Sequence, residues 1–245
     1  MSNVLIKPRR EKGEPALKGP GLLIITPTEA ASAVNLTQTK NRKQHFLFNS
    51  HLFQILPTQS QNPFFLAGPM VGSPMAVMTM EKLIALGAQL FIVFGWCGSL
   101  NPSLLIGDVL LPTWAISEEG TSVHYPVKQR STSSDKIRSL LNSHLNKCGI
   151  KTVEGPVWTT DAPYRETRDK LEAYKSKGIM GVDMEFSAMS TLAAFRGVEM
   201  AAVFLVSDEL WREKWNAGYR NKAFRKRSLT ILRILTKCCR DILQP

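Results

Sequence analysis

Little in this sequence invites a metal, a disulfide or a membrane. It has four cysteines, Cys97, Cys148, Cys238 and Cys239. The adjacent pair Cys238-Cys239 suits neither a CxxC knuckle nor an easy disulfide, so a reducing, cytoplasmic setting is expected. Four histidines stand apart at 45, 51, 124 and 144, without metal-ligand spacing. No metal and no organic cofactor are therefore expected. Apolar runs stay short of the roughly 18 residues that a membrane span needs. The first residues are polar and basic, with Lys7, Arg9, Arg10, Lys12 and Lys18, and lack the apolar stretch of a signal peptide. Residues 1–18 read as a flexible basic tail and 19–245 as one domain. Acidic residues are the scarcer charge, 20 against 31 Lys and Arg, for a net charge of +11. That excess sits at the two ends. At the C-terminal end it interleaves with Leu229, Ile231, Leu232, Ile234 and Leu235 as on an amphipathic helix. With no zinc finger, RNA-binding aromatic motif or basic heptad, a solvated helix face is expected rather than a nucleic-acid site.

What remains is an ordinary apolar core, 44% of the chain, arranged in alternation. Short apolar runs at Leu22–Ile25, Phe64–Ala67, Leu90–Phe94 (closing at Gly95), Asp108–Leu111 (ended by Pro112) and Met200–Val206 read as buried strands. Gly181–Phe186 reads as a strand running into a turn. Helical spacing recurs over Pro74–Leu86, stopped by Gly87, and over Ser134–Asn146 and Ser187–Arg196. Strands alternating with helices imply a sheet covered on both faces. Ligands of such sheets gather beyond the strand ends. There stand Thr26-Pro27-Thr28-Glu29, Gly95-Trp96-Cys97-Gly98-Ser99, Asp183-Met184-Glu185 and Ser207-Asp208-Glu209.

Five stretches, in order, resemble the superfamily of purine nucleoside and uridine phosphorylases, which also holds nucleosidases. They are Gly68-Pro-Met-Val-Gly-Ser-Pro74; Gly95-Trp-Cys-Gly-Ser99 with Gly107-Asp108; Glu119-Gly-Thr-Ser122 with His124-Tyr125; Thr160-Asp-Ala-Pro-Tyr-Arg-Glu-Thr167; and Val182-Asp-Met-Glu-Phe-Ser-Ala188 with Val206-Ser-Asp208. The resemblance runs from Gly19 to the C-terminus. It implies a three-layer α/β/α fold with a mixed central sheet, an oligomer (a dimer or trimer of dimers), and a small-molecule nucleoside as substrate.

The resemblance also distributes roles. Glu185 would accept hydrogen bonds from the 2′ and 3′ hydroxyls of ribose, with Met184 against the sugar; an ordinary helix-capping carboxylate is the alternative. Asp208 would face the base and stabilise the negative charge that moves onto it as the glycosidic bond breaks, a contribution of about 10²–10⁴-fold. Partial burial would raise its pKa for that task, and its presence tilts the substrate towards purines. As a lesser possibility Ser207 or Asp208 caps a following helix. Tyr164 and Arg165 lie where the family builds its base pocket. Asp161 is expected to bond loop amides, Trp158 to lie in the core, and Glu119–Tyr125 to form a turn packed on the sheet.

The acceptor site departs from the family pattern. Phosphorylases of this type hold phosphate with a Gly-rich loop, two arginines and a Ser or Thr. Here the loop after the first strand has no arginine, and Val93 and Trp96 stand at the other two positions. The remaining acceptor site would be Gly68, Gly72, Gly95 and Trp96. Three readings follow. Water replaces phosphate, with Glu29 holding the attacking water; phosphate is a co-substrate and Arg42 of a neighbouring subunit supplies the charge; or the fold binds nucleosides without turnover, Trp96 filling the cavity. Hydrolysis ranks first and the inert fold last, because Met184-Glu185 and Ser207-Asp208 are intact.

Overall fold

The computed structural model describes residues 4–37, 42–48, 50–56, 62–128, 130 and 132–242. In chain order the elements are β1 (Gly21–Ile24), α1 (Pro27–Thr37), β2 (Arg42–Leu47), β3 (Ser50–Ile55), β4 (Phe64–Gly68), α2 (Ser73–Ala85), β5 (Leu90–Ser99), β6 (Val109–Glu118), α3 (Asp135–Lys147), β7 (Thr152–Thr160), α4 (Arg168–Lys175), β8 (Gly181–Asp183), α5 (Phe186–Arg196), β9 (Glu199–Glu209), β10 (Asn216–Ala217) and α6 (Lys222–Asp241).

Strand periodicity makes the layers. Leu23, Phe91, Val93, Ala202 and Phe204 face one way, into a cluster with Met80 and Leu83 of α2 and Met189 and Leu192 of α5. Their neighbours Leu22, Ile24, Ile92, Phe94, Val203 and Leu205 face the other way, against Ala33 of α1, Leu141 of α3 and Ile231, Leu232 and Leu235 of α6. Alternate residues of one strand serve opposite faces, so an unbroken apolar run can be buried on both. Each fully buried Leu or Ile contributes about 1.5–3 kcal/mol. The expected three-layer α/β/α sandwich with a mixed sheet is therefore the fold, and α6 is the amphipathic helix read from its pattern.

The sheet runs β10-β9-β6-β7-β8-β5-β1-β4-β3-β2, and β9 also pairs with β5. The second pairing closes β5, β9, β6, β7 and β8 into a five-stranded ring. Two expected strand ends move as a result. β5 passes through Gly95 to Ser99, because its last residues are held by β9 on one side and by β8 on the other. β6 passes through Pro112 to Glu118; its register with β7 shifts between Pro112 and Ala115, the kind of irregularity where a strand tolerates proline. β8, by contrast, stops at Asp183. No helix begins at Ser207 or Asp208, since β9 continues to Glu209, so neither residue is a helix cap.

Residues 1–3 of the basic tail lie outside the described residues. Further along it, Lys82 of α2 donates to the carbonyl of Arg9 (2.7 Å) and to the carboxylate of Glu14 (2.6 Å). Leu17 is buried, and its N–H donates to the carbonyl of Leu86.

Candidate active site

The carboxyl ends of β5 and β9 and the β8–α5 junction meet around a cavity of about 550 Å³. At the junction, buried Asp183 does the capping that α5 requires. Its Oδ2 accepts from the N–H groups of Glu185 (2.9 Å) and Phe186 (2.6 Å), and its Oδ1 from the Thr159 hydroxyl (2.6 Å). Glu185 sits at the N-terminal boundary of α5 without capping it. The capping alternative for Glu185 is thus taken by Asp183, and Glu185 is left to line the cavity.

Glu185 is 4% exposed. The N–H of Gly72 donates to its Oε1 at 2.6 Å, and the Ser73 hydroxyl donates to the carbonyl of Met184 at 2.7 Å. Gly72 has φ +89°, a left-handed conformation that glycine adopts without strain. The loop expected to cradle an acceptor therefore also fixes the Glu185 carboxylate. Burial, then the charge of Asp183, raises the Glu185 carboxyl to about 8. Burial raises Asp183 as well.

Asp208 enters from β9. Its Oδ1 accepts from the Ser207 hydroxyl (2.6 Å) and its Oδ2 from the indole N–H of Trp215 (2.8 Å). Gly98 lies beneath it: a Cβ there would stand 2.2 Å from Leu210 Cδ1 and 3.1 Å from Asp208 Oδ2. Glycine is what lets β5 and β9 approach at this point.

Met184, Glu185, Asp208, Tyr164 and Trp96 all line this cavity. Tyr164, fully exposed, stands at its rim. Arg165 is exposed and does not line it. Of the acceptor residues, Trp96 lines the cavity, Gly72 borders it through Glu185, and Gly68 and Gly95 are packed behind. A Cβ on Gly68 would meet the carbonyl of Ile24 at 2.3 Å, and one on Gly95 would meet Ile25 at 3.1 Å. Trp96 is held by Tyr219, stacked at 5.9 Å, and by Phe224, edge-on at 5.2 Å.

Glu29 is not brought to the cavity. It lies buried in the first turn of α1, and its carboxylate accepts from the hydroxyls of Thr26 and of Ser228 on α6 (3.0 Å to Ser228). The reading of Glu29 as holder of the attacking water is corrected on that geometry: one oxygen is taken by Thr26 just before α1 and the other by Ser228 of α6. Arg42, on the edge strand β2, donates to the carbonyl of Val34 (3.2 Å) and does not line the cavity of its own chain.

Sequence reasoning missed Glu166, Arg168, Trp215 and Tyr219, which also line the cavity. Trp215 follows Asp208 by seven residues through a short turn, and no motif marks it. Arg168 donates to the carbonyls of Leu210 (2.9 Å), Arg212 and Glu213. Its charge braces the segment after β9.

Other expectations concern the surroundings. Trp158 is wholly buried. Asp161 accepts from the N–H of Gly120 (2.9 Å). Glu119 gathers Ser117, Thr121, Ser122 and Ser187 onto one carboxylate, which fixes its turn against α5. His124 lines a larger groove of about 1610 Å³, bordered by Leu5, Ile6, Phe46, Phe48 and Met78 and containing neither Glu185 nor Asp208. Among the described residues no group of three or more His, Cys, Asp or Glu side chains could hold a metal ion, and no helix is long and apolar enough to cross a membrane.

Comparison with known proteins bears on this arrangement. A model of the phosphorylase superfamily matches residues 21–238. The chain is 26% identical over 145 residues to a guanosine phosphorylase of Halorubrum lacusprofundi, a match covering 57% of this chain and 58% of that one. It is 26% identical over 198 residues to a uridine phosphorylase of Treponema pallidum, covering 76% and 77%. In three dimensions it resembles the purine nucleoside phosphorylase of Toxoplasma gondii, crystallised in complex with immucillin-H, with a TM-score of 0.82, 23% identity and 98% of each chain covered. The chain belongs to the phosphorylase superfamily of enzymes.

Proposed function

We propose that the chain cleaves the N-glycosidic bond of a nucleoside and releases the base. The observation that carries this is the meeting of Glu185 and Asp208, from β8–α5 and β9, on one cavity that Met184 also lines. In the reaction the bond from C1′ to the base nitrogen breaks, its electron pair goes to the base, and an acceptor oxygen bonds C1′. Glu185 accepts from the sugar hydroxyls. Asp208, oriented by Ser207 and Trp215, faces the base as it gains charge. Interactions of this kind accelerate the reaction to the extent that they strengthen in the transition state. With both carboxylates in place and the relatives named as phosphorylases, an inert member is not favoured.

Kinship favours phosphate as the acceptor. A specific observation favours water as the second reading: the arginine lining the cavity, Arg168, is spent on carbonyls, while Glu166, Asp183, Glu185 and Asp208 are all acidic. Phosphate binding relies on charge-assisted donors worth about 1.5–3 kcal/mol each. Phosphorolysis therefore requires a cation from outside this set, such as Arg42 of a second copy. A homo-oligomer fits that need, and the exposed Phe46 and Phe48 give it an apolar surface. We place the protein in the cytoplasm, in keeping with its four unpaired cysteines and the reducing compartment they suit; no membrane, nucleic-acid, metal or organic-cofactor partner enters the reading.

The test is base release from purine and pyrimidine nucleosides with phosphate varied from zero to millimolar, free sugar being measured against sugar 1-phosphate. Sugar 1-phosphate with strict phosphate dependence supports phosphorolysis. Free sugar at a phosphate-independent rate supports hydrolysis. No cleavage in either condition overturns the proposal.

A further inference from the structure

The solvated face expected of α6 differs from the other charged helix faces of this chain. Lys222, Lys226, Arg233 and Lys237 are all exposed. Their spacing of four, seven and four residues sets them in one row, within about 60° of the helix circumference and about 22 Å long. On α3 and α4 cations meet an acid one turn away, as Arg138 meets Asp135 and Lys175 meets Glu172. Among the described residues none of the four α6 cations has a carboxylate within ion-pair distance. The acid of α6, Asp241, stands 4.0 Å from His144 of α3. α1, which packs on α6, carries a single charged residue, Glu29, and it is buried. Lys222 with Lys226, and Arg233 with Lys237, are like charges at i,i+4, an arrangement that by itself weakens a helix.

A row of unanswered charge is complemented by a row of the opposite sign. We propose that α6 is the docking face for a helix of another protein that carries carboxylates at the same spacing. The shape of the row selects this partner: it is straight and one side chain wide, as the charged stripe of a helix is. A bilayer fits it poorly. A helix lying on a membrane buries its apolar face there, whereas Ile231, Leu232 and Leu235 of α6 are committed to the chain's own core, and no α6 residue is among the exposed large apolar side chains. Duplex nucleic acid presents two phosphate backbones and calls for cations over a broad patch, which α1 beside the row does not supply. A single strand calls for aromatic platforms, and Phe224, the aromatic residue of α6, is buried. A second copy cannot answer the row, since no described helix of this chain carries more than two acidic residues. None of the four cations lines the cavity of Glu185 and Asp208, so this proposal stands independently of the glycosidic reading.

The probe is a fluorescein-labelled, stapled helical peptide long enough to span the row, with Glu at four positions spaced four, seven and four. A second peptide of the same composition has its Glu residues spread around the helix. Binding to the full chain is followed by fluorescence anisotropy at low salt. The aligned peptide should bind tenfold or more tighter than the spread one, and should weaken at least fivefold when salt is raised to 0.5 M, since exposed charges are screened. Lys226→Glu with Arg233→Glu should abolish the difference between the peptides. Lys226→Gln with Arg233→Gln, the milder pair, should bring them within about threefold, and circular dichroism checks that both variants keep their helix. A DNA duplex and vesicles containing phosphatidylserine are run beside the peptides. Equal binding of the two peptides, no binding of either, or a difference that survives in the folded variants overturns the proposal. So does tighter binding of the wild-type chain to the duplex or the vesicles than to the aligned peptide, which would assign the row to a phosphate backbone or a lipid surface instead.

Discussion

Glu185 is held in two ways that pull apart. The proposed sugar role calls for its charge, and burial opposes it. Its carboxyl is raised to about 8 in the folded chain from an ordinary value near 4.5 in the unfolded one. Between those values the folded state holds the proton that the unfolded state has released, so stability falls as pH rises through that window. Glu185→Gln keeps an acceptor for the Gly72 N–H and removes the buried charge. It should raise Tm at pH 8, with little change at pH 5, and lower kcat/KM by 10²-fold or more, in line with the several kcal/mol that preorganised charge contributes. Scanning calorimetry at the two pH values and steady-state kinetics check this; unchanged kcat/KM sinks the sugar role. At this scale Met184, Glu185 and Asp208 were legible because short motifs carry them. Glu166, Trp215 and Tyr219 were not, because their presence at the cavity depends on turns whose course no local pattern dictates. Glu29 was misassigned because nearness to a strand end in sequence does not say which face of α1 its carboxylate takes.

Among the elements, the β8–α5 junction concentrates the most consequence in the fewest atoms. Asp183 satisfies two backbone N–H groups at the start of α5 and the Thr159 hydroxyl of β7. Asp183→Ala strands these buried donors, each unmet donor costing about 1–3 kcal/mol. Urea unfolding should show a loss of at least 2 kcal/mol by that reckoning, with Asp183→Asn much milder; a loss below about 0.5 kcal/mol would show that the junction is held elsewhere. The β5–β9 contact makes a sharper demand. Gly98→Ala places a methyl against Leu210 and Asp208, and activity should fall tenfold or more while secondary structure by circular dichroism is kept. Helix and strand cores were legible from period and apolar runs. The lengths of β5 and β6 were not, since Gly95 and Pro112 read locally as stops, and pairing with β9 and β7 overrides them. α1, β2, β3, β7, α4 and β10 went unread; their stretches mix polar and apolar residues, and β2 is nearly all exposed.

For the whole molecule, the three layers follow from strands whose successive residues serve two cores. Around the larger groove Leu5, Ile6, Phe46 and Phe48 remain exposed, and clustered exposed apolar side chains are a feature of interaction surfaces. Sedimentation velocity at micromolar concentration should give the mass of a dimer or a trimer of dimers, and Phe46→Asp with Phe48→Asp should shift it towards the 27.3 kDa monomer. A wild-type chain that sediments as a monomer would remove Arg42 of a second copy as the source of a phosphate-binding cation.

The ring of strands also sets an order of events in synthesis. Leu90 on β5 finds its partner in Glu199 on β9, more than a hundred residues later, and β9 is the strand that carries Asp208. Until the ribosome has released that stretch, β5 presents an open row of amides and carbonyls flanked by Phe91, Ile92 and Phe94, a ready template for another chain. Long-range pairing of this sort slows folding and lengthens exposure to aggregation. The contact that completes the site is thus one that the nascent chain makes late, and a cell that produces this protein has reason to shield it with a chaperone until residue 209 has emerged.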